Sequence, residues 1–389
     1  MVYAVKFSSL MDTFTQNIFN VLEYKRRELV AQGREVINLS VGTPNLTPSR
    51  HVMEAMAAAS CDPECYKYSL VDSAEMQDAV IGWYKNRYGV SLDADGFTSV
   101  YGTQEGVAHM PFVFCNPGDT VIIGAPAYPI FAFGPMLAGA KLYKVLLKEE
   151  DGFLMDFAAI PPEVAEKAKM IIVSYPSNPL AAVANDDFYE RLIAFAKKYG
   201  LIVIHDNAYS EYIHDGNPGG SFLQYRGAMD VGVEFNSLSK SYNLTGLRIS
   251  FALGNKEIIT AFRSLRSQID YGISYIDQKA AVAALNGPQD ILEKNRAHYK
   301  AARDALYEGL NSIGWKVPLS RATMFSWLPI PEGRKSEEFT MDIIEKAGVM
   351  FVPGTAFGEG GEGYVRAALV ADVPTLKKAV RKIAECGVI

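Results

Sequence analysis

Cysteine is scarce in this chain of 389 residues, which contains only Cys61, Cys65, Cys115 and Cys386. Four cysteines are too few for a disulfide framework, and their spacing lacks the paired ligands of a structural zinc site. Free thiols at this frequency are typical of a reducing compartment. The composition therefore predicts a cytoplasmic protein without a metal site.

Runs of basic residues are also missing. Lysine and arginine number 38 against 44 acidic residues, so the formal net charge is −6, and no segment concentrates positive charge. A protein that binds nucleic acid usually carries a basic stripe or patch. The sequence therefore predicts a protein that does not bind nucleic acid.

Long uninterrupted apolar segments are absent as well. Thr120 to Ala140 is a run of 21 residues without a charge, long enough to span a bilayer. However, Pro126, Pro129 and Pro135 interrupt the run, and each proline would remove a backbone hydrogen bond from a spanning helix. The run is therefore interpreted as a buried strand followed by a proline-rich turn. Residues 1–16 show no apolar core of signal-peptide type, and no membrane partner is expected.

What the middle of the chain does contain is an alternation of apolar runs with segments of helical period. Continuous valine, isoleucine and leucine suit strands that are covered on both faces. The strands predicted in this way are Thr120–Gly124, Met170–Ser174, Leu201–His205 and Leu247–Leu253. Helices are predicted at Glu75–Tyr88 and Asp186–Tyr199, each followed by a glycine. The alternation predicts an α/β fold whose large domain has a mostly parallel sheet flanked by helices.

The C-terminal third has a different order of elements. A long polar-faced helix is predicted first, then short strands around a helix, and finally a basic amphipathic helix. These segments are Pro288–Leu310, Met324–Pro329, Glu337–Gly348, Tyr364–Leu369 and Pro374–Cys386. Together with a helical stretch at Asn17–Gln32, they predict a smaller α+β domain. The large domain is placed at residues 46–285, and the small domain at residues 1–45 and 286–389.

Two motifs are set aside. The glycines of segment 358–363 match the dinucleotide fingerprint, but the next residues look like a strand, where the fingerprint requires a helix. His205 and His214 each precede an aspartate, yet neighbouring side chains of a strand point to opposite faces and no third ligand is suitably spaced. Neither motif supports a nucleotide or metal site.

Lys240 is the residue that indicates chemistry. A lone lysine is usually a solvated surface charge, but this one lies among small polar residues beside an apolar strand. A lysine removed from water loses its proton readily and can form a Schiff base with a carbonyl. The neighbouring Ser237, Ser239 and Arg248 are suited to bind a phosphate dianion.

Three further segments supply polar groups at strand ends or helix starts. Asp206 follows a buried strand, with Tyr209 three residues later, and Asn178 follows another strand. The segment Gly102–Gln104 precedes a helix, where backbone N–H groups bind anions. Alone, these segments also fit a cap, a turn and a helix start. Together with Lys240 they match the aldehyde, phosphate, ring nitrogen and ring hydroxyl of pyridoxal 5′-phosphate.

The order and spacing of these motifs resemble those of the class I and II aminotransferases, which are fold-type I pyridoxal-phosphate enzymes. Within that family the chain is most similar to LL-diaminopimelate aminotransferase-like proteins. The segments that carry the resemblance are Asn178-Pro179, Asp206–Tyr209, Ser237–Lys240, Arg248, Ser221–Gln224, Asp230–Lys240, Ile269–Ile273 and Gly360–Arg366. The resemblance covers nearly the whole chain.

The resemblance implies a role for each cofactor-binding residue. Lys240 binds the cofactor covalently and later moves protons, and Asp206 keeps the ring nitrogen protonated. Tyr209 and Asn178 bond the ring hydroxyl oxygen, and Tyr128 stacks on the ring face. The residues implied to hold the phosphate are Gly102, Thr103, Gln104, Ser237, Ser239 and Arg248.

The resemblance also implies a substrate site and a homodimer. Arg366 resembles the arginine that binds the substrate α-carboxylate, and Gly42 resembles a loop glycine beside that carboxylate. Asn178 contributes to the same site. Tyr68 resembles a tyrosine that reaches the neighbouring subunit's phosphate, with Tyr66 as a competing alignment, and Tyr271 is placed near that shared site.

The expected activity is the ping-pong transfer of an amino group from an L-amino acid to a 2-oxo acid, with diaminopimelate as one possible donor. A pyridoxal-phosphate β-lyase (C–S lyase) on the same fold and an inactive cofactor-binding partner protein are the alternatives. The chain departs from the family at Leu180-Ala181, at Leu247, in the loop Gly42–Asn45 and at Val71–Ala74. These departures alter the rim of the pocket and leave the substrate open.

Overall fold

The computed structural model describes residues 5–13, 18–216 and 219–389. Its helices are α1 (Ile18–Ala31), α2 (Arg50–Ala59), α3 (Ala74–Tyr88), α4 (Thr103–Phe114), α5 (Ile130–Leu137), α6 (Pro162–Ala165), α7 (Asp186–Tyr199), α8 (Ala228–Val231), α9 (Leu238–Ser241), α10 (Lys256–Arg266), α11 (Tyr275–Asn286), α12 (Asp290–Ser312), α13 (Ser336–Ala347) and α14 (Val373–Glu385). No helix within these ranges has the length and apolar character needed to cross a membrane.

The strands are β1 (Ile37–Asn38), β2 (Phe97–Tyr101), β3 (Thr120–Ala125), β4 (Lys141–Leu146), β5 (Ala168–Ser174), β6 (Ile202–Asp206), β7 (Gly232–Ser237), β8 (Ile249–Gly254), β9 (Phe325–Pro329), β10 (Val349–Met350), β11 (Val352–Pro353) and β12 (Tyr364–Ala368). Within the described residues, seven of these strands form one sheet in the order β2-β8-β7-β6-β5-β3-β4. Strands β4, β3, β5, β6 and β7 are parallel, and β8 is antiparallel to both β7 and β2. The predicted α/β fold with a mostly parallel sheet flanked by helices is confirmed.

The sheet is buried on both faces, which explains the continuous apolar runs of its central strands. One hydrophobic cluster packs α3, α7 and α11 against one face of the sheet. A second cluster packs α4 and α10 against the other face. A third is built on α12, α13, α14 and the antiparallel strands β9 and β12. The domain boundaries at residues 45/46 and 285/286 stay a prediction.

Helix ends follow local chemistry. Helix α7 begins after Asn185, whose side chain accepts the Phe188 N–H, and ends at Gly200 in the left-handed region. Helix α3 likewise begins after Ser73 and ends at Gly89. Both helices lie where the periodicity predicts them, within one residue.

Two local predictions are wrong. The segment after β3 contains helix α5, with Pro135 inside it, although a proline-rich turn was predicted. Strand β8 begins at Ile249 and not at Leu247, because Arg248 has a φ of 56° and extended backbone cannot include it. This left-handed residue turns the chain just before the strand, and it places the arginine at the site described next.

Candidate active site

The parallel strands deliver polar residues to one edge of the sheet. Ser174 ends β5, Asp206 ends β6, and the two are paired in register. Ser237 ends β7, and α9 follows it directly with Lys240. Because parallel strands share their carboxyl edge, residues distant in sequence meet at one cavity.

The cavity has a volume of about 510 Å³. Most of the residues that the motifs single out line it: Gly42, Thr103, Gln104, Tyr128, Asn178, Asp206, Tyr209, Ser237, Ser239, Lys240, Arg248 and Arg366. Gly102 is not a lining residue, but it lies directly behind the Arg248 guanidinium. Tyr68 does not line the cavity.

The amine of Lys240 is held at the cavity wall. Its Nζ donates a hydrogen bond of 2.6 Å to the carbonyl oxygen of Gly42, and the Tyr212 hydroxyl donates to the Lys240 carbonyl at 2.6 Å. Burial, together with the positive charges of Arg248 and Arg366, lowers the pKa of Lys240 to about 8. The neutral amine is therefore accessible near physiological pH.

Asp206 is a buried carboxylate. Burial raises its pKa to about 6, and this effect is opposed by the Ala208 N–H, by His205 and by the Thr103 hydroxyl. The Ala208 N–H donates to Asp206 Oδ1 at 3.2 Å. A cationic group on the cavity side of this buried carboxylate would stabilise its charged form.

Whereas Asp206 favours a cation, the groups at the start of α4 favour an anion. Gly102 has a φ of 93° and precedes the first N–H groups of this helix, and a β-carbon at Gly102 would collide with the Arg248 guanidinium. The hydroxyl of Ser239 is buried and has no hydrogen-bond partner within the described part of the chain. Arg248 uses Nη1 to donate to the Thr245 carbonyl at 3.1 Å. Helix start, hydroxyl and guanidinium together suit a phosphate.

Ser237 plays a supporting part in this arrangement. Its hydroxyl oxygen accepts the Ser239 N–H at 3.0 Å and the Ser250 hydroxyl at 2.7 Å, and it donates to the Ile249 carbonyl at 3.3 Å. These bonds hold the turn between β7 and α9. The turn therefore presents the free hydroxyl of Ser239 to the cavity.

Two tyrosines contribute aromatic surface. The Tyr128 hydroxyl donates to Gln104 Oε1 at 2.8 Å, which ties the loop before α5 to the start of α4. Burial raises the pKa of both Tyr128 and Tyr209, so both phenols keep their protons. The ring of Tyr209 packs edge-on against Phe325, with centroids 5.7 Å apart.

Arg366 lies on β12 and enters the cavity from the C-terminal part of the chain. Its Nη1 donates to Asn178 Oδ1 at 2.9 Å, and Nη2 donates to the Ser40 carbonyl at 2.6 Å. The guanidinium lies 4.2 Å from the Phe325 ring centroid and 4.8 Å from that of Phe357. Burial lowers its pKa to about 10, so it remains charged at neutral pH. Its planar fork is suited to a carboxylate.

Tyr68 and Tyr66 are both on the surface. Tyr68 is 80% exposed, and its ring packs against Tyr271 with centroids 5.6 Å apart. The Tyr66 hydroxyl donates to the Ser60 carbonyl at 2.7 Å. Tyr66 is thus tied to its own chain, whereas Tyr68 has no hydrogen bond to any described residue and projects outward.

Sequence reasoning missed the apolar part of the cavity wall. The lining also includes Phe19, Val41, Ile130, Phe133 and Phe325. No motif identifies such residues, because phenylalanine and isoleucine also fill every core. The single local hint is Gly42, where a β-carbon would collide with the Phe325 ring.

A cluster outside the cavity has the composition of a metal site. Single ligand atoms of Glu105, His109 and Asp270 lie within 4.8 Å of one another. Arg266 occupies this cluster, pairing with Asp270 at 3.0 Å and donating to the Tyr271 carbonyl at 2.9 Å. The cluster therefore supports the turn that carries Tyr271.

A mostly parallel sheet with a lysine, a buried carboxylate and an anion site at its carboxyl edge is the architecture of a fold-type I aminotransferase. The chain belongs to the aminotransferase class I and II family, whose model matches residues 34–383. It is an aminotransferase, and the family predicted from the motifs is confirmed.

Individual relatives agree with this assignment. The chain is 42% identical over 354 residues to an LL-diaminopimelate aminotransferase of Halothermothrix orenii, covering 90% of this chain and 91% of the relative. Substrate-bound BacF from Bacillus subtilis is similar in structure, with a TM-score of 0.94, 33% identity and 98% of each chain covered. A probable N-succinyldiaminopimelate aminotransferase from Thermus thermophilus has a TM-score of 0.89 and 34% identity, over 95% of this chain and all of that chain.

Proposed function

We propose that this aminotransferase works with pyridoxal 5′-phosphate held in the 510 Å³ cavity and joined to Lys240. The observation that supports this most is the combination of groups on one cavity wall. A lysine with a lowered pKa, a buried carboxylate and an unpartnered buried hydroxyl are each costly alone. One ligand with a carbonyl, a cationic ring nitrogen and a phosphate satisfies all three.

The residues fit the parts of this cofactor. Asp206 would pair with the protonated ring nitrogen, Tyr209 and Asn178 would bond the ring hydroxyl oxygen, and Tyr128 would cover a ring face. The phosphate would lie at the start of α4, between the first N–H groups of the helix and the guanidinium. The residues proposed to hold it are Gly102, Thr103, Gln104, Ser237, Ser239 and Arg248.

When bound, pyridoxal phosphate supplies a carbonyl carbon for the amine and a ring that accepts electrons from the substrate Cα–H bond. The chain supplies the rest. Lys240 Nζ, whose lowered pKa enlarges the fraction of neutral amine, would accept the proton from the substrate Cα. Arg366 and Asn178 hold the α-carboxylate, and Gly42 lies beside it. These contacts align the Cα–H bond with the Lys240 amine.

The substrates are an L-amino acid donor and a 2-oxo acid acceptor, which use the same cavity in turn. Relatives named LL-diaminopimelate aminotransferase make LL-diaminopimelate the first donor to compare with others. Consumption of a 2-oxo acid separates transamination from β-elimination, which releases ammonia or sulfide without an acceptor.

The Lys240→Ala variant tests the cofactor proposal. We expect wild-type protein to show the visible absorbance of lysine-bound cofactor and to be labelled by borohydride, and the variant to show neither. Turnover should fall by about 10²- to 10⁴-fold, because a general base and the covalent anchor are both lost. Lys377→Ala, at an exposed position of α14, is the control. Covalent cofactor on the Lys240→Ala protein, or unchanged turnover, would overturn the proposal.

We also propose a homodimer in the cytoplasm. Residues 68–71 pack against residues 271–272, where the Gly272 N–H donates to the Ser69 carbonyl at 2.7 Å. These segments and the neighbouring Ile269 expose apolar side chains, which form the patch of Tyr68, Leu70, Val71, Ile269 and Tyr271. Exposed apolar patches mark association surfaces. The four cysteines are free thiols, which supports a reducing compartment.

A further inference from the structure

In the proposed function, each charged side chain of the cavity already binds a group of the cofactor or the substrate α-carboxylate. Within the described residues, four charged side chains line the cavity: Asp206, Lys240, Arg248 and Arg366. They serve the ring nitrogen, the carbonyl, the phosphate and the substrate α-carboxylate. Residues 1–4, 14–17 and 217–218, outside the described ranges, carry no charged side chain in the sequence. One chain therefore offers no further charged side chain at its own cavity. The segment 68–71, through which a second copy would reach the site, reads Tyr-Ser-Leu-Val and is also uncharged.

A group of apolar side chains in and behind the wall packs on and around Arg366. Phe325 packs on the Arg366 guanidinium, as does Phe357, and the ring of Phe19 meets Phe357 edge-on with centroids 6.5 Å apart. Ile130 and Phe133, which lie one helical turn apart on α5, also line the cavity. A substrate whose carboxylate is bound by Arg366 thus has apolar surface near its side chain.

The adjoining loop is neutral as well. Residues 42–45 read Gly-Thr-Pro-Asn and carry no charge. The side-chain oxygen of Asn45 accepts the Tyr299 hydroxyl at 3.4 Å, so it already has a donor within the chain. Val41, which precedes this loop, lines the cavity.

A charged side chain would lose water at these apolar residues without gaining a counter-charge. LL-diaminopimelate carries an ammonium and a carboxylate at its far end, and both need counter-charges or full hydration. An apolar side chain gains from the same contact, and each methylene that fits such a pocket is worth about 10- to 200-fold in discrimination.

On the basis of the proposed function, we propose that the preferred amino donor is an L-amino acid with an uncharged apolar side chain, either aromatic or branched. The residues that select this side chain are Phe19, Val41, Ile130 and Phe133. Diaminopimelate and other donors with charged side chains are then poor substrates. The same preference applies to the 2-oxo acid formed from that donor.

A donor panel on the holoenzyme tests this preference. The panel contains L-phenylalanine, L-leucine, L-methionine, LL-diaminopimelate, L-aspartate and L-lysine, with pyruvate and 2-oxoglutarate as acceptors. We expect kcat/KM for the best apolar donor to exceed that for LL-diaminopimelate by at least about tenfold. Equal or higher kcat/KM for LL-diaminopimelate overturns the inference and leaves the proposed function intact. Conversion of no donor at all counts against the proposed function itself.

Binding provides a second readout that is independent of turnover. Calorimetry on the holoenzyme compares the binding of 3-phenylpropanoate with that of pimelate. Both acids are unreactive and can place one carboxylate on Arg366, but the rest of the first is aromatic and the rest of the second carries another carboxylate. The inference expects 3-phenylpropanoate to bind with a Kd at least about tenfold lower. Tighter binding of pimelate would contradict it.

Variants on α5 connect the preference to named residues. Phe133→Ala should lower kcat/KM for L-phenylalanine by about tenfold or more and leave L-alanine nearly unchanged, whereas Phe133→Leu should retain most of the activity. Phe112→Ala, at an exposed position of α4, is the control. Ile130→Glu should raise the ratio of L-lysine to L-phenylalanine. Equal losses for all donors in Phe133→Ala, or an unchanged ratio in Ile130→Glu, would refute selection by this wall.

Discussion

At the residue scale, the proposed mechanism depends on one amine, that of Lys240, being easier to deprotonate than an ordinary lysine. Three causes act on Lys240: burial, the charge of Arg248 and the charge of Arg366. All three disfavour the ammonium form, so they lower the pKa in the same direction. The Gly42 carbonyl at 2.6 Å holds the amine in position, which explains why the loop before α2 contributes to a site otherwise built on the sheet.

The lowered pKa predicts how reconstitution depends on pH. Only the neutral amine attacks the cofactor carbonyl, and lowering the pKa enlarges the neutral fraction at a given pH. The rate at which cofactor-stripped protein regains visible absorbance should therefore rise with pH, with a midpoint near the pKa of about 8, and level off above it. Stopped-flow absorbance over a pH series measures the midpoint.

A charge variant supplies the check on this prediction. Arg248→Gln removes one of the positive neighbours, so the midpoint should move to higher pH, even though the variant also binds the phosphate less well. An ordinary lysine midpoint in the wild-type protein, or a midpoint in Arg248→Gln that moves to lower pH, would contradict the assigned causes.

At the element scale, the start of α4 shows how backbone conformation creates an anion site. Gly102 and Gly118 have the same φ of 93°, but a β-carbon at Gly102 meets the Arg248 guanidinium, and one at Gly118 meets nothing within 4 Å. Arg248 itself is left-handed and ends the turn before β8. Two unusual backbone conformations thus bring the helix start and the guanidinium together.

This pair of glycines provides a matched experiment. Both Gly102→Ala and Gly118→Ala should lose about 1–2 kcal/mol of folding free energy, because alanine resists a positive φ. Only Gly102→Ala should also weaken cofactor binding, by about 10- to 100-fold, the value of one charged hydrogen bond. Urea unfolding and cofactor titration measure the two effects. Equal cofactor affinities in the two variants would show that the Arg248 contact is unimportant.

Strands β6 and β7 are joined behind the site by a buried polar network. His205 Nδ1 lies 3.0 Å from Glu234 Oε2, and His205 precedes Asp206. Glu234 also accepts the Tyr84 hydroxyl at 2.8 Å, the Ser221 hydroxyl at 2.9 Å and a backbone N–H at 2.7 Å. The network links α3 to the end of β6, and it therefore stabilises the position of the site carboxylate.

Removing Glu234, the acceptor of this network, should lower the free energy of unfolding. Glu234→Ala leaves several buried donors without a partner, so we expect a loss of about 3–5 kcal/mol in the free energy of unfolding. Glu190→Ala, at an exposed position of α7, should change it by less than about 0.5 kcal/mol. Urea denaturation of both proteins gives the comparison, and a loss below about 1 kcal/mol for Glu234→Ala would refute the network's role.

At the scale of the whole molecule, the patch of Tyr68, Leu70, Val71, Ile269 and Tyr271 is where a second copy is expected. Hydrogen bonds fix both segments of the patch. Arg266 donates to the Tyr271 carbonyl, and Gln278 donates to the Ser69 hydroxyl at 2.8 Å. A twofold dimer would bury the same patch on both copies.

Mixed dimers test whether Tyr68 completes the neighbouring site. Lys240→Ala and Tyr68→Ala chains should each have low activity alone, and a mixed dimer then contains one site with both residues intact. Random pairing should restore about a quarter of the wild-type site content. Activity no greater than the sum of the separate variants, or a solution mass of a single 42.7 kDa chain, would exclude the shared site.

Much of the fold could be predicted from local pattern. Strands β3, β5 and β6 carry continuous apolar runs, and α3 and α7 have clear caps, so periodicity and capping chemistry locate them. Strand β4 lies at the sheet edge and contains Lys141 and Lys144, so it lacks a continuous apolar run and its sequence does not indicate a buried strand. Helix α5 contains Pro135, which local rules interpret as a turn. Packing against α4 and the sheet outweighs that preference.

The amino-acid sequence is sufficient to indicate a pyridoxal-phosphate-type reaction. Lys240, Asp206 and Arg248 lie in short motifs whose residue types match the groups of one cofactor, and these chemical requirements are local. Which apolar residues line the cavity follows only from the three-dimensional packing. Phe19 and Phe133 are far apart in the chain and resemble any core residue, and only the packing of α1 and α5 around the sheet edge leaves them lining a cavity. A reactive group is recognised by its own chemistry, whereas the shape of a pocket arises from contacts between distant segments.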